Sequence, residues 1–181
     1  MINISTKKGD QGKTRLASQV KISKADLRMD VIGDLDELNS WLGLVVVKFN
    51  EFDNKFINQR IFLLTIQEQL FKVGAELAQA EKVKVNGGFL IKIEKQSENL
   101  QQKMAKNWHN QFLLPGGSEL ASWLDVSRTV CRRAERNLVK LSQKEEIRPI
   151  LLKVINRLSD YLYVLRCHVN YELGVEEKVK S

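Results

Sequence analysis

Apolar residues recur at spacings of three and four along successive stretches of this chain, the signature of helices that each bury one face. Leu35, Leu38, Leu42, Val45 and Phe49 define a first helix from near Asp34, with Asp36, Asn39 and Gly43 on a neighbouring polar and small face. Val45, Val46 and Val47 are β-branched, yet they extend this apolar surface more naturally than they start a strand. A second pattern runs from near Lys55 to about Glu81 through Ile57, Ile61, Leu64, Leu70, Phe71, Val73, Gly74, Leu77 and Ala78. The charged segment EKVKVNGG then predicts a loop. Ile93, Ser97, Leu100, Met104 and Trp108 give a third helix that ends before Phe112. After Pro149, Leu151, Val154, Leu158, Leu162, Leu165 and Val169 form the stripe of a last helix, with Asn156, Asp160, Tyr163 and Asn170 beside it.

The fourth helix is the most informative. Pro115, Gly116 and Gly117 make a turn that cannot continue a helix, and the Ser118 hydroxyl can cap a new one starting near Glu119 and running to about Gln143. Leu120, Leu124, Ser127, Cys131, Ala134, Leu138 and Leu141 fall on its buried stripe. Arg128, Arg132, Glu135 and Arg136 fall on an adjoining one. Guanidinium groups beside a core stripe are costly to desolvate unless a carboxylate or phosphate meets them, so an anionic partner is expected. The alternative is a solvated face with internal ion pairs.

With no internal repeat and no convincing strand, an all-α, up-and-down bundle of five helices is the simplest architecture, in one domain over residues 1–181. Residues 1–25, rich in Gly, Lys, Ser and Thr, read as a loop, and about 26–172 as the bundle. Short linkers predict antiparallel neighbours, and Gly43 and Gly74 predict close helix contacts. The 43% hydrophobic content suffices for a core, and the net charge of +7 favours an anionic partner. The basic residues are spread among 22 acids without a nucleic-acid recognition motif, which points away from nucleic acid. Cys131 and Cys167 sit in apolar helical patterns and read as reduced, buried thiols, which suggests the cytoplasm. No apolar run is long enough for a signal peptide or a membrane span.

Gly9 to Thr14, GDQGKT, resembles the end of a phosphate-binding P-loop, but Lys7 stands where that motif needs a glycine. The glycines, hydroxyls and cations of this segment still suit a triphosphate by another geometry. His109 and His168 have no partner at metal-ligand spacing, and neither is assigned a role. Asp36 and Glu37 are either a capping pair near a helix start or partners of an arginine.

Three segments together, TKKGDQGKTR, GDLDELNSWLGL, and FLLPGGSELASWLDVSRTVCRRAER with INRLSDYLYVL, resemble the PduO-type ATP:cob(I)alamin adenosyltransferases in order and spacing. The resemblance spans nearly the whole chain. It implies a ferritin-like five-helix bundle assembled as a homotrimer, with active sites between subunits, that moves the adenosyl group of ATP onto the cobalt of cobalamin with Mg²⁺ assisting. It implies ATP binding by Thr6, Lys7, Lys8, Gly9, Thr14, Lys24, Arg132, Arg133, Glu135, Arg136 and Asn156. It also implies a subunit-bridging pair, Asp36 and Arg128, that supports the corrinoid site, and a Phe112 lying against the lower face of the corrin ring. Arg132 is thereby expected to serve catalysis as well as ATP binding. A cob(II)alamin reductase and an adenosylcobalamin-dependent enzyme are the implied protein partners.

The chain departs from the family pattern at Ser5, at Ala17 and Ser18 near a usual glycine pair, and at Asp125 in place of a frequent histidine. Its carboxyl terminus stops soon after the last helix, so a segment that closes over the corrinoid is expected to be short or absent. The rival reading is a binding module, either a corrinoid carrier or an ATP-responsive regulator on the same scaffold. The retained ATP-site residues disfavour a pure carrier.

Overall fold

A computed structural model describes residues 7, 9–104, 106, 108 and 112–179. Among these, five helices form: α1 (Leu27–Lys48), α2 (Ile57–Leu77), α3 (Gly87–Gln101), α4 (Glu119–Ser142) and α5 (Pro149–Glu172). They are joined by an antiparallel hairpin that the sequence reading placed in a loop, β1 (Lys13–Arg15) paired with β2 (Lys21–Ser23), Thr14 opposite Ile22. A strand follows Gly12, whose φ is +71°, where a P-loop would begin a helix, so the GDQGKT segment is not one.

Local chemistry sets the helix starts. Asp26 accepts from the Arg28 amide at 2.8 Å, Asn86 from Phe89 at 3.3 Å, and Ser118 from Ala121 at 3.2 Å. Pro149 opens α5, where its missing N–H costs nothing. The expected stripes of α4 and α5 are buried along their whole length.

Three expectations need correction. First, α1 begins two turns earlier than Asp34, because Asp26 caps it and the buried Arg28 is satisfied by the Leu77 carbonyl and Glu145. Asp36 and Glu37 are therefore mid-helix and cap nothing. Second, the buried stripe of α2 is Phe62, Leu63, Ile66, Leu70, Val73 and Leu77, while Ile61, Leu64 and Phe71 are exposed at 55%, 40% and 69%. Apolar residues lie on two sides of this helix, so spacing alone selects the wrong set. Third, Gly87 and Gly88 begin α3 rather than end a loop, and α3 stops at Gln101, short of Trp108.

Chain neighbours are not all spatial neighbours. The principal helix pairs are α1 with α2, α1 with α4, α4 with α5, and α3 with α5. Phe62 of α2 meets Tyr161 of α5 edge-on at 5.0 Å, so the core closes around α5. At Gly43, the Gln67 amide comes within 3.4 Å of a would-be Cβ and donates to the Asn39 carbonyl at 3.0 Å, the expected close approach. Gly74 has no such neighbour.

His168 is the core's one buried imidazole among the described residues. Its Nδ1 has no hydrogen-bond partner there, and its Nε2 lies 3.5 Å from the Gln59 amide nitrogen. Burial, aided by Lys103 and Lys55 against the opposing pull of Glu172, lowers it from its ordinary 6.5. The unfolded chain thus takes up a proton that the folded one resists. This contribution to stability is complete above pH 6.5 and is lost as pH falls toward the lower folded value. His168→Gln is expected to flatten the fall of the urea midpoint between about pH 7 and about pH 5. Equal slopes for the two proteins would contradict this.

Candidate active site

The turn that presents Phe112 is locked from below. Gly116 and Gly117 adopt φ of +128° and +96°, values that side chains resist. Asp125, in the second turn of α4, accepts from the Gly116 amide at 3.0 Å. Asn170 of α5 accepts from the Ser118 amide at 2.9 Å and donates to the Gly116 carbonyl at 3.0 Å. A Cβ at Gly117 would stand 2.3 Å from the Asn170 amide nitrogen. Gly117→Ala is therefore expected to destabilise the protein by about 1–3 kcal/mol, a fall in Tm of roughly 2–4 °C per kcal/mol in a domain of this size. An unchanged melting curve would show that the turn yields freely. Phe112 itself is 86% exposed in the protomer.

Further along α4, the arginines differ in their partners. Arg133 turns to α1, donating to Asp34 at 2.8 Å and to Glu37, while Asn137 donates to Asp34 at 2.8 Å. Its charge is met within the protomer, the second of the two roles expected for Glu37. Arg132 and Arg136 are exposed and make no hydrogen bond or ion pair with any described residue. Beside them Glu135 accepts from the Asn156 amide at 2.7 Å, which ties this face of α4 to α5 and fixes the asparagine. Two unpaired guanidinium groups next to an oriented carboxylate and amide can take a polyphosphate and a hydroxylated sugar.

The hairpin carries the remaining candidates. Gly9 packs so closely on Lys24 that a Cβ would meet the ammonium at 2.9 Å, and Lys24 donates its amide to the Gly12 carbonyl at 2.8 Å. Thr14 is half-buried on β1, and Lys7 is exposed with φ of +54°. Thr6 and Lys8 lie outside the described residues, as do Ser5 and His109. Ala17 and Ser18 anchor the hairpin to the end of α2: the Ala17 amide donates to the Ala78 carbonyl at 2.9 Å, and the Ser18 hydroxyl to Gln79 at 2.8 Å. Among the described residues, no hydrogen bond or ion pair joins the hairpin to the arginine stripe within one protomer.

Asp36 and Arg128 are likewise not joined within the protomer. Asp36 is exposed. Arg128 Nε is buried without a hydrogen-bond partner among the described residues, and Asp125 stands at ion-pair distance, 3.7 Å. Missed altogether was Arg166, 1% exposed on α5, which donates to Asp125 at 3.0 Å and also meets Glu177. A lone arginine inside the apolar run YLYVLRCHV was its only sequence signal. Cys131 and Cys167 are buried and free, as expected, and burial pushes both thiols up, so they stay protonated.

Among the described residues, fold and site define a helical-bundle protein with an unpaired cationic face and, at the Phe112 turn, a projecting aromatic residue. The cobalamin adenosyltransferase family profile matches residues 4–169, and the chain belongs to this family. It is 35% identical to a corrinoid adenosyltransferase of Bacillus subtilis, over 96% of this chain and 90% of that one. It is 38% identical to a cobalamin adenosyltransferase of Cupriavidus metallidurans, over 90% of this chain and 85% of that one. Its fold superposes, with a TM-score of 0.90 and 34% identity, on a phenylalanine-to-alanine variant of a PduO-type ATP:corrinoid adenosyltransferase from Lactobacillus reuteri complexed with cobalamin and ATP. That match covers 98% of this chain and 99% of the other.

Proposed function

We propose that this protein transfers the 5′-deoxyadenosyl group of ATP to cob(I)alamin, giving adenosylcobalamin and triphosphate. Membership of the cobalamin adenosyltransferase family carries the reading. The unpaired Arg132 and Arg136 beside the Glu135–Asn156 pair support it. In the reaction the cobalt(I) electron pair forms the Co–C5′ bond while the C5′–O bond breaks, and its electrons leave on the triphosphate. Arg132 and Arg136 would stabilise that developing charge, and Lys7, Gly9, Thr14 and Lys24, with Thr6 and Lys8, would hold the phosphates from the hairpin side. Arg133 would serve indirectly, by keeping α4 on α1. Because the metal is the nucleophile, no serine, cysteine or general base is required of the protein.

Among the described residues no group of three or more His, Cys, Asp or Glu side chains is placed to hold a metal ion. Mg²⁺, where it assists, would arrive on the triphosphate oxygens. Phe112 would lie under the corrin ring and keep water and the lower axial ligand away from cobalt(II), which eases its reduction.

The separation of the hairpin from the arginine stripe, and the unsatisfied Arg128 Nε, support a homotrimer in which Arg128 meets Asp36 of the partner subunit and the active site is completed between protomers. Asp36→Arg is expected to damage assembly or corrinoid binding. A fully active monomer in sedimentation would contradict the trimer. The chain is read as one domain over 1–181, acting in the cytoplasm with a cob(II)alamin reductase upstream and an adenosylcobalamin-dependent enzyme downstream. No helix among the described residues is long and apolar enough to cross a membrane. The test is phosphorus NMR of the products. Intact triphosphate should accumulate one-for-one with consumed ATP and cob(I)alamin; diphosphate with phosphate, or ATP left intact, would refute the transfer.

A further inference from the structure

The residues after α5 fold back on the Phe112 turn and are latched there by one side chain. Leu113 bridges Val179, and the Leu114 amide donates to the Lys178 carbonyl at 2.8 Å, so the strap Val175–Val179 runs alongside the turn. Arg166 holds both. Its Nη2 donates to the Leu114 carbonyl at 2.8 Å and to the Gly116 carbonyl at 3.1 Å. Its Nη1 meets Glu177 of the strap, and its Nε donates to Asp125 at 3.0 Å. Asn170 adds a bond to Glu177 at 2.9 Å.

A buried guanidinium survives only where carboxylates and carbonyls use its fork, and two carboxylates and two carbonyls do so here. Phe112, by contrast, is 86% exposed and has almost no packing of its own. Its place is set by its backbone, pinned one and two residues downstream by the strap and by Arg166.

We propose that Arg166 is a positioning residue that, with Glu177, couples the carboxyl-terminal strap to the Phe112 turn and so governs use of cob(II)alamin rather than of ATP. This rests on the adenosyltransferase reading above. Lysine at 166 keeps the charge beside Asp125 but presents three donors on a flexible stem, and it cannot span the strap, the turn and α4 together.

The test uses full-length Arg166→Lys and Glu177→Ala. Two assays are compared, one fed preformed cob(I)alamin and one fed cob(II)alamin with reductant, together with the spectrum of four-coordinate cob(II)alamin in the presence of ATP. Amide hydrogen exchange is followed across the turn. In both variants the ratio of cob(I)-fed to cob(II)-fed turnover should rise about tenfold, as expected when a group is displaced by a fraction of an ångström. The four-coordinate signal should fall, and exchange at Leu114 and Gly116 should quicken by about tenfold while α5 stays protected. Should Arg166→Lys fail to fold, Glu177→Ala decides by the same readouts, since its side chain is at the partly exposed rim of the hub. A parallel loss in both assays, an unchanged ratio, or faster exchange throughout α5 would overturn the proposal and leave Arg166 as packing. If the wild type forms no adenosylcobalamin in either assay, the adenosyltransferase reading fails, and exchange at the turn alone decides whether the coupling exists.

Discussion

Arg132→Ala is expected to lower kcat/KM for ATP by roughly 10- to 100-fold, the equivalent of losing one charge-assisted bond of about 1.5–3 kcal/mol. The side chain is exposed, so folding should survive the change. Arg133→Ala should behave differently. It breaks the tie to Asp34 and Glu37, and thermal stability should fall along with activity. Wild-type turnover of Arg132→Ala at low ATP would remove the stripe from the phosphate site.

Phe112→Ala is expected to retain ATP binding but to lose roughly 100-fold in turnover from cob(II)alamin plus reductant, because the smaller side chain admits water or the lower ligand beneath the ring. Turnover from preformed cob(I)alamin should suffer less, since the difficult reduction is bypassed. The four-coordinate cob(II)alamin spectrum with ATP should weaken in step. An unchanged spectrum and unchanged rates in both assays would leave Phe112 as an ornament of the LPGG turn. A large exposed aromatic on a rigid turn would then have no account.

The sequence was most legible where one face of a helix carries the whole burden of burial. In α4, Ser118, the PGG turn and the stripe from Leu120 to Leu141 agree at every level, and cap, boundary and core all followed. In α2, Ile61, Leu64 and Phe71 compete with the true core residues for the same spacing, so the phase was lost although the helix was not. The first two turns of α1 were invisible because their buried residue is an arginine whose partners, Leu77 and Glu145, lie far away in sequence. For the same reason the Asp125–Arg166–Glu177 hub escaped notice: a buried charge is readable only once its partners are in place.

The placement of the candidate residues was legible in part. Arg132, Arg136, Glu135 and Asn156 do converge on one face, and Gly9 and Lys24 do meet at the hairpin. Arg133 is committed to α1, and Asp36 stands apart from Arg128 within a protomer, separations that no single-chain spacing could reveal. Ala17 and Ser18 prove to be hairpin anchors.

The most direct test of adenosyl transfer is the visible spectrum of purified protein mixed anaerobically with ATP, Mg²⁺ and chemically reduced cobalamin. The account predicts that the cob(I)alamin bands give way to those of adenosylcobalamin, in multiple turnovers and only when ATP is present. A spectrum that stays that of cob(I)alamin, or that changes equally without ATP, would contradict it.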